Sequence, residues 1–358
     1  MEIVRVGILH DWKGYNPIKS AEYAGCFKNA KKYGIDLFNF TINDVNIADK
    51  TINARYRDQN GKKVEKIVSY PDIVCNSFTS LHGAYKDLEA HVKFTRNYAI
   101  LDKIEKYKED ELLKSEFNDL VIEHKVIREY SDVEAALKKY SNIIIKPSRG
   151  LHRIGVVCIK CLGNDRFFVK GPKMEEELSV DGLRKFCADM FEYIKKFPAY
   201  YYLLAQPFRE SVTKDNRPFD VRIYAKRGRD GNFVTCKYVR TGLRNSLVSN
   251  LNRGIGKPEL DVTGFLKSNF DEDIDVLAEQ LEYIQANFFE FYQSLYEREL
   301  FNIGLDLGVT RTDGGLKLAL FEVNIRLLGA TAIPEINAEA TLGYYRYLYE
   351  QKKKESRR

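Results

Sequence analysis

The sequence predicts an α+β fold in which an N-terminal βαβ lobe with an open sheet precedes a longer region of mixed strands and helices. Three observations carry this. Short apolar strand patterns recur along the whole chain, and helical spacing falls between them rather than in one block. Glycine-centred turn signals at Asn60-Gly61, Asp230-Gly231 and Asp313-Gly314-Gly315 join neighbouring strands.

Residues 3–9 read as the first strand. Residues 18–33 have helical spacing (Ala21, Ala24, Phe27, Ala30) and end at Gly34, a natural C-cap. Strands follow at 36–40, on either side of Asn60-Gly61, and at 72–75, completing a lobe over 1–92 whose strand ends suit a ligand. A charged helical linker, 93–141, is expected to hold helices at 93–107 and 132–140 with a short strand at 124–127. A small lobe, 142–208, takes strands at 142–145, 154–160, 166–169 and 201–205 and a helix at 180–197. In a larger lobe, 209–346, strands 221–226 and 233–240 pair across Asp230-Gly231, a long helix covers 273–304, and strands 304–309 and 316–323 close the sheet. The remainder, 347–358, is a charged tail, and its last eight residues, QKKKESRR, form a charge run without core positions that reads as a solvated, frayed end.

Composition narrows the function classes. At 358 residues, 44% hydrophobic and 30% charged, the chain has the make-up of a folded globular protein. A net charge of +6 suits a phosphate-rich ligand as well as a polynucleotide. No basic stripe interleaved with aromatics points to nucleic acid, and no apolar run of about 18 residues points to a membrane. Cys158 and Cys161 lack the second pair that a zinc site needs, so strand alternation explains them. Unpaired thiols and an opening segment without export features place the protein in the cytoplasm.

Four segments carry chemistry. In Ile143-Ile144-Ile145-Lys146-Pro147-Ser148-Arg149-Gly150, a lysine closes an apolar strand ahead of a basic, glycine-containing loop. That arrangement suits polyphosphate, because the ammonium stands on rigid sheet while glycine lets backbone amides approach. Tyr202-Leu203-Leu204-Ala205-Gln206-Pro207-Phe208 is a strand end able to offer backbone groups to a base edge. In Phe219-Asp220-Val221-Arg222 the two charged residues share a strand face, and Arg240 closes the partner strand. Two arginines on one face repel unless an anion lies between them, so the pair predicts a bound phosphate or carboxylate; the alternative is an ion pair of Asp220 with either arginine. Ser249-Asn250-Leu251-Asn252-Arg253-Gly254 adds a polar loop at the same edge. Finally, Glu322 and Asn324 alternate onto one face of an otherwise apolar strand, and Asp306 stands on the preceding strand. Three oxygens on adjacent strands suit Mg²⁺, with a buried salt bridge as the alternative.

In this order the motifs resemble the ATP-grasp superfamily, over roughly residues 93 to 335, and look most like YheC/YheD-like ATP-grasp proteins, with elements similar to RimK-type amino-acid ligases. The resemblance implies an ATP-grasp fold preceded by the N-terminal lobe, with ATP and Mg²⁺ (or Mn²⁺) as cofactors. It assigns Lys146, Arg149 and Gly150 to the phosphates, with Lys93 at the head of the linker helix as an earlier nucleotide lysine. Gln206 and Phe208 would flank adenine, and Asp220 would face the ribose. Arg222, Arg240 and Asn250 would hold the transferred phosphoryl group, and Asp306, Glu322 and Asn324 the metal. Two departures stand out: the phosphate loop is bulkier than usual, and Ile325-Arg326-Leu327-Leu328-Gly329 replaces the familiar Pro-Gly.

The implied activity is ADP-forming ligation: a small-molecule or peptide carboxylate is phosphorylated and an amine acceptor displaces phosphate. A phosphotransferase on the same fold, or a non-catalytic ATP-binding coat or assembly protein, is the alternative. The polar loops His10-Asp11-Trp12-Lys13-Gly14-Tyr15 and Asn76-Ser77 are expected to face the cleft. Acceptor identity and oligomeric state are not encoded in these motifs.

Overall fold

The structure, a computed structural model, describes all residues except 1, 11–22, 58–61, 77–82, 96–103, 149–155, 172–173, 197–201, 245–257, 273, 326–332 and 358. Arg149, Gly150, Asn250, Arg326 and the segments 11–15 and 77 therefore lie outside the described residues.

The N-terminal sheet grows from β1 (Val4–Leu9), whose alternate residues pack on opposite sides. It pairs in parallel with β2 (Ile35–Phe40) and β6 (Ile73–Asn76). The helical spacing after β1 yields α1 (Ala24–Asn29) and a 3-10 turn, Ala30–Tyr33, ended by Gly34 in the left-handed region (φ 65°) as a C-cap requires. Short β3 (Val45–Asn46) and the hairpin strands β4 (Thr51–Arg57) and β5 (Lys63–Ser69) extend one side. Helix α2 (Gly83–His91) then leads to β7 (Lys93–Phe94) on the other. The expected helix at 93–107 is thus corrected at its start. Val92-Lys93-Phe94-Thr95 is captured as a parallel edge strand, the Thr95 amide donating to the Val74 carbonyl at 3.0 Å. Helix α3 (Lys106–Phe117) begins only where Glu109, Leu113 and Phe117 provide a buried stripe four residues apart.

The small lobe is a six-stranded sheet, ordered β12-β11-β10-β9-β13-β8. Its members are β8 (Lys125–Ile127), β9 (Asn142–Pro147), β10 (Val157–Gly163), β11 (Arg166–Gly171), β12 (Met174–Ser179) and β13 (Leu203–Pro207). Helices α4 (Tyr130–Tyr140) and α5 (Val180–Lys195) cover one face, burying Ile143, Ile145, Ile159, Leu203 and Ala205. The glutamate-rich β12 escaped sequence reading because it is an outer strand with little buried apolar surface.

In the large lobe the order is β15-β14-β16-β17, built from β14 (Phe219–Arg227), β15 (Phe233–Thr241), β16 (Asn302–Thr312) and β17 (Gly315–Asn324). Odd-numbered residues of β14 (Phe219, Val221, Ile223, Ala225) face the main core with α3, α6 (Val262–Asn269) and α7 (Asp275–Ser294). The helix expected over 273–304 ends earlier. Gln293 Oε1 accepts from the Leu300 amide and from Arg227 Nη2, turning the chain so that Asn302 can join β16 opposite Lys226.

Helix α8 (Pro334–Glu355) opens with proline at its first turn and packs across β1 and β6. The expected frayed end is a second correction: the helix runs on to Glu355, although none of the described residues 351–357 is buried, and just ahead of them Leu348 is buried and Tyr349 Oη donates to Glu2 at 2.7 Å. Among the described residues no helix is long and apolar enough to cross a membrane.

Candidate active site

The face of the small-lobe sheet opposite its core carries Ile144, Lys146, Leu204 and Gln206, because β13 pairs with β9 at Leu204–Lys146 and Gln206–Ile144. From this face Lys146 Nζ donates to the carbonyl oxygen of Phe321 in β17, at 3.4 Å. One contact therefore joins the two sheets and defines the cleft. Burial, and then repulsion from the Lys106 ammonium, lower the Lys146 pKa to about 8. Gln206 turns inward, its carboxamide donating to the Ile122 carbonyl at 3.3 Å. The Phe208 amide donates to Asn142 O at 2.9 Å, and its ring lies under the Lys160 ammonium.

Across the cleft, the even-numbered face of the large-lobe sheet holds the charged residues. Cross-strand pairing sets Asp220 beside Arg240, Arg222 beside Asp306, and Asp306 beside Glu322. Arg222 grips Asp306 with two hydrogen bonds, Nε to Oδ1 at 2.6 Å and Nη2 to Oδ2 at 2.7 Å. Arg240 holds Asp220 in the same way at 2.6 and 2.7 Å, and reaches Asp306 Oδ2 at 3.0 Å. All four side chains are buried. The anion that the arginine pair demanded is thus the protein's own Asp306, in an alternating chain of two carboxylates and two guanidiniums. Burial opposes ionisation of Asp306, but Arg222 and then Arg240 outweigh it and hold its pKa down at about 2. Asp220, assigned to the ribose by resemblance, is committed to Arg240 here.

A register shift between Asp306 and Leu307 makes Phe321 the extra residue of a β-bulge in β17. Its ring lies across Gly308, where a Cβ would stand 2.0 Å from the ring Cζ. The bulge aims Glu322 and Asn324 onto the cleft face. Glu322 is more than a third exposed, and its carboxylate lies 3.3 Å from Lys106 Nζ at the first turn of α3. Asn324 Nδ2 donates to Asp306 Oδ2 at 3.4 Å, which leaves its amide oxygen directed elsewhere.

The metal assignment therefore fits in part. Glu322 and Asn324 present oxygens suited to a hard cation that keeps phosphate and water ligands, whereas Asp306 has both oxygens engaged by arginine. Among the described residues no group of three or more His, Cys, Asp or Glu forms a metal cluster. Lys93 stands on strand β7 and not at the head of a helix; it is exposed and lines a pocket of about 460 Å³ with Arg298, Tyr344 and Lys352. Among the described residues the lysine whose charge acts on Lys146 is Lys106, which the sequence hid among the many charges of α3. Phe321 was equally hidden, since a bulge leaves no mark in the strand pattern. Cys158 is buried and Cys161 exposed on β10, as alternation expects. His10 and Asn76 are buried at the ends of β1 and β6.

Comparison with known proteins agrees with this architecture. No curated protein sequence matches the chain. D-alanyl-alanine synthetase A from Vibrio cholerae O1 biovar eltor shares 10% identity, with a TM-score of 0.53 covering 98% of this chain and 98% of the other. N5-carboxyaminoimidazole synthetase from Staphylococcus aureus shares 14%, with a TM-score of 0.51 covering 96% of this chain and 78% of its own. At such identities the likeness is one of fold, and the fold is ATP-grasp. The family model described as YheC/D like ATP-grasp matches residues 92–346, well over half of the sequence, and the chain belongs to that family.

Proposed function

We propose that the chain is an ADP-forming ligase that phosphorylates a substrate carboxylate with ATP and passes the acyl group to an amine. The observation that carries this reading is the meeting of two lysines and a buried arginine–carboxylate chain across one cleft in an ATP-grasp fold. Cations on both walls match a reaction whose transition state spreads negative charge over phosphate oxygens.

In this reading Lys146 binds the nucleotide phosphates from the small lobe, aided by Arg149 and Gly150, which follow it in sequence. Gln206 near the end of β13 and Phe208 just after it border the adenine. Arg222 and Arg240, with Asn250 from the polar segment that follows β15 in sequence, hold the transferred phosphoryl group. Asp306 fixes the orientation of both guanidiniums through its hydrogen bonds, so that their remaining N–H donors are aimed without reorganisation. Glu322 and Asn324 would hold magnesium or manganese, which would screen charge between the phosphates. No protein nucleophile is required, since the substrate carboxylate attacks the terminal phosphorus and the amine later expels phosphate.

The test is a matrix of carboxylic acids and amines incubated with the full chain and Mg-ATP. ADP and phosphate are expected only where both an acid and an amine are present, with hydroxamate formed when hydroxylamine replaces the amine. Release of AMP rules the reading out. A phosphorylated product that persists without an amine favours a phosphotransferase.

A further inference from the structure

The contact between Lys106 and Glu322 has a use beyond a static ion pair. Lys106 stands at the first turn of α3, a helix anchored in the large-lobe core by Leu113 and Phe117. Glu105, just before it, accepts a hydrogen bond from Tyr202 Oη at 2.9 Å, which ties the same turn to the lead-in of β13. Lys106 is thereby held at the seam between the two sheets, close enough to Lys146 to depress its pKa, and its ammonium rests 3.3 Å from Glu322. The charges sensed by Lys146 here are Lys106, Asp110, Glu322 and Glu109. In the reading above Glu322 is a carboxylate that would hold a divalent cation, and the Lys106 ammonium lies 3.3 Å from it.

We propose that Lys106 and Glu322 form a displaceable latch: Lys106 occupies Glu322 until a divalent cation takes that carboxylate, and the released ammonium then turns to the nucleotide phosphates. The inference rests on the ATP-binding reading above and adds to it a coupling between metal and nucleotide routed through one lysine. The physical basis is reciprocal. Two cations compete for one carboxylate, so a divalent ion must displace the ammonium, and an ammonium without its carboxylate beside Lys146 is stabilised by a polyanion. Both side chains retain solvent access, so the exchange involves no buried unpaired charge.

The coupling is read by ATP binding to the full chain, measured by calorimetry with EDTA and with excess magnesium. In EDTA, Glu322→Gln is expected to bind ATP at least fivefold more tightly than wild type, because Lys106 is released without metal. Lys106→Met/Glu322→Gln is expected to lose that gain. Lys106→Met alone is expected to weaken Mg-ATP binding at least fivefold, and to weaken binding in EDTA by a smaller factor. The proposal is overturned if Glu322→Gln brings no gain in EDTA. It is equally overturned if the gain persists undiminished in the double variant, since simple removal of a negative charge would then account for it. Failure of wild type to bind Mg-ATP at all overturns the nucleotide reading itself, and the latch with it. Circular dichroism of each variant separates these results from loss of fold.

Discussion

Lys146 and Phe321, 175 residues apart in sequence, meet across the cleft with the lysine ammonium 3.4 Å from the phenylalanine carbonyl oxygen. The contact brings a cation from the small lobe to the bulged strand that carries Glu322 and Asn324. It also holds Lys146 where burial and Lys106 lower its pKa to about 8.

That shift predicts a pH dependence. Below about pH 8 Lys146 is charged in the ligand-free protein; above it the ammonium is lost before a nucleotide arrives. ATP binding restores the proton, so affinity is expected to be flat below pH 8 and to fall by up to about tenfold per pH unit above it. The depressed pKa also sets a stability trend of opposite sign. The penalty of holding the charged form is present below pH 8 and is relieved between there and the unfolded value of about 10.4. Titrating Mg-ATP affinity against pH checks the first trend. In Lys146→Arg, which stays charged, the decline should vanish, and in Lys146→Met affinity should be at least tenfold weaker at neutral pH.

Asp306 and Glu322 face each other across β16 and β17 but do different work. Removing the Asp306 charge takes the bidentate carboxylate from buried Arg222, while Arg240 keeps Asp220, so Asp306→Asn is expected to destabilise the fold by about 3–5 kcal/mol. Glu322→Gln removes half of a solvent-accessible pair and should cost less than about 1 kcal/mol. Urea unfolding distinguishes them; equal losses would mean that the arginine chain is not what Asp306 serves. The pH profile adds a second check. With its pKa lowered to about 2, Asp306 contributes stability that is present above its unfolded value near 4 and disappears as the pH falls through 2.

The bulge at Phe321 is testable through Gly308. A methyl group there would collide with the Phe321 ring, which has to swing into the cleft or lift the strand. Gly308→Ala is expected to cost about 1–3 kcal/mol and to weaken ATP binding. Adding Phe321→Ala removes the collision and should recover most of the stability, giving a coupling above about 0.5 kcal/mol in a double-mutant cycle. Additive losses would show that the two residues do not share the space.

Much of this arrangement could be read from the sequence, and the failures have physical causes. Gly34, Asp230-Gly231 and the alternation around Asp220/Arg222 mark elements through local chemistry, and the structure places those elements where local chemistry put them. What local pattern could not show was which charge answers which. The arginines called for an anion, but only the register of β14 against β16 reveals that Asp306 is that anion. Lys93 and Lys106 are both lysines in a charged stretch; parallel pairing with β6 takes the first into the N-terminal sheet, and the core stripe of α3 carries the second to the cleft. Arg149, Gly150 and Asn250 lie outside the described residues, and their assignments, like those of the other site residues, are proposals.

The end of the chain offers the clearest contrast between composition and structure. Its run of lysines suggests a solvated tail, yet α8 continues through it because its first half is already packed against the N-terminal sheet through Leu342, Tyr344 and Tyr345. Leu348 extends that buried stripe by one turn, and Arg346 and Tyr349 both bond to Glu2, each at 2.7 Å, tying the last helix to the first strand. Removing the buried side chain should matter far more than removing the surface pair. Leu348→Ala is expected to cost about 2–5 kcal/mol, depending on how far the packing collapses around the cavity. Glu2→Ala, which leaves the backbone carbonyl that Arg346 uses, should lower stability far less than Leu348→Ala, because its partners are solvent-exposed. Thermal unfolding of the two variants checks the order; a Leu348→Ala protein as stable as wild type would mean that the last turns of α8 are held by their charges and not by the core.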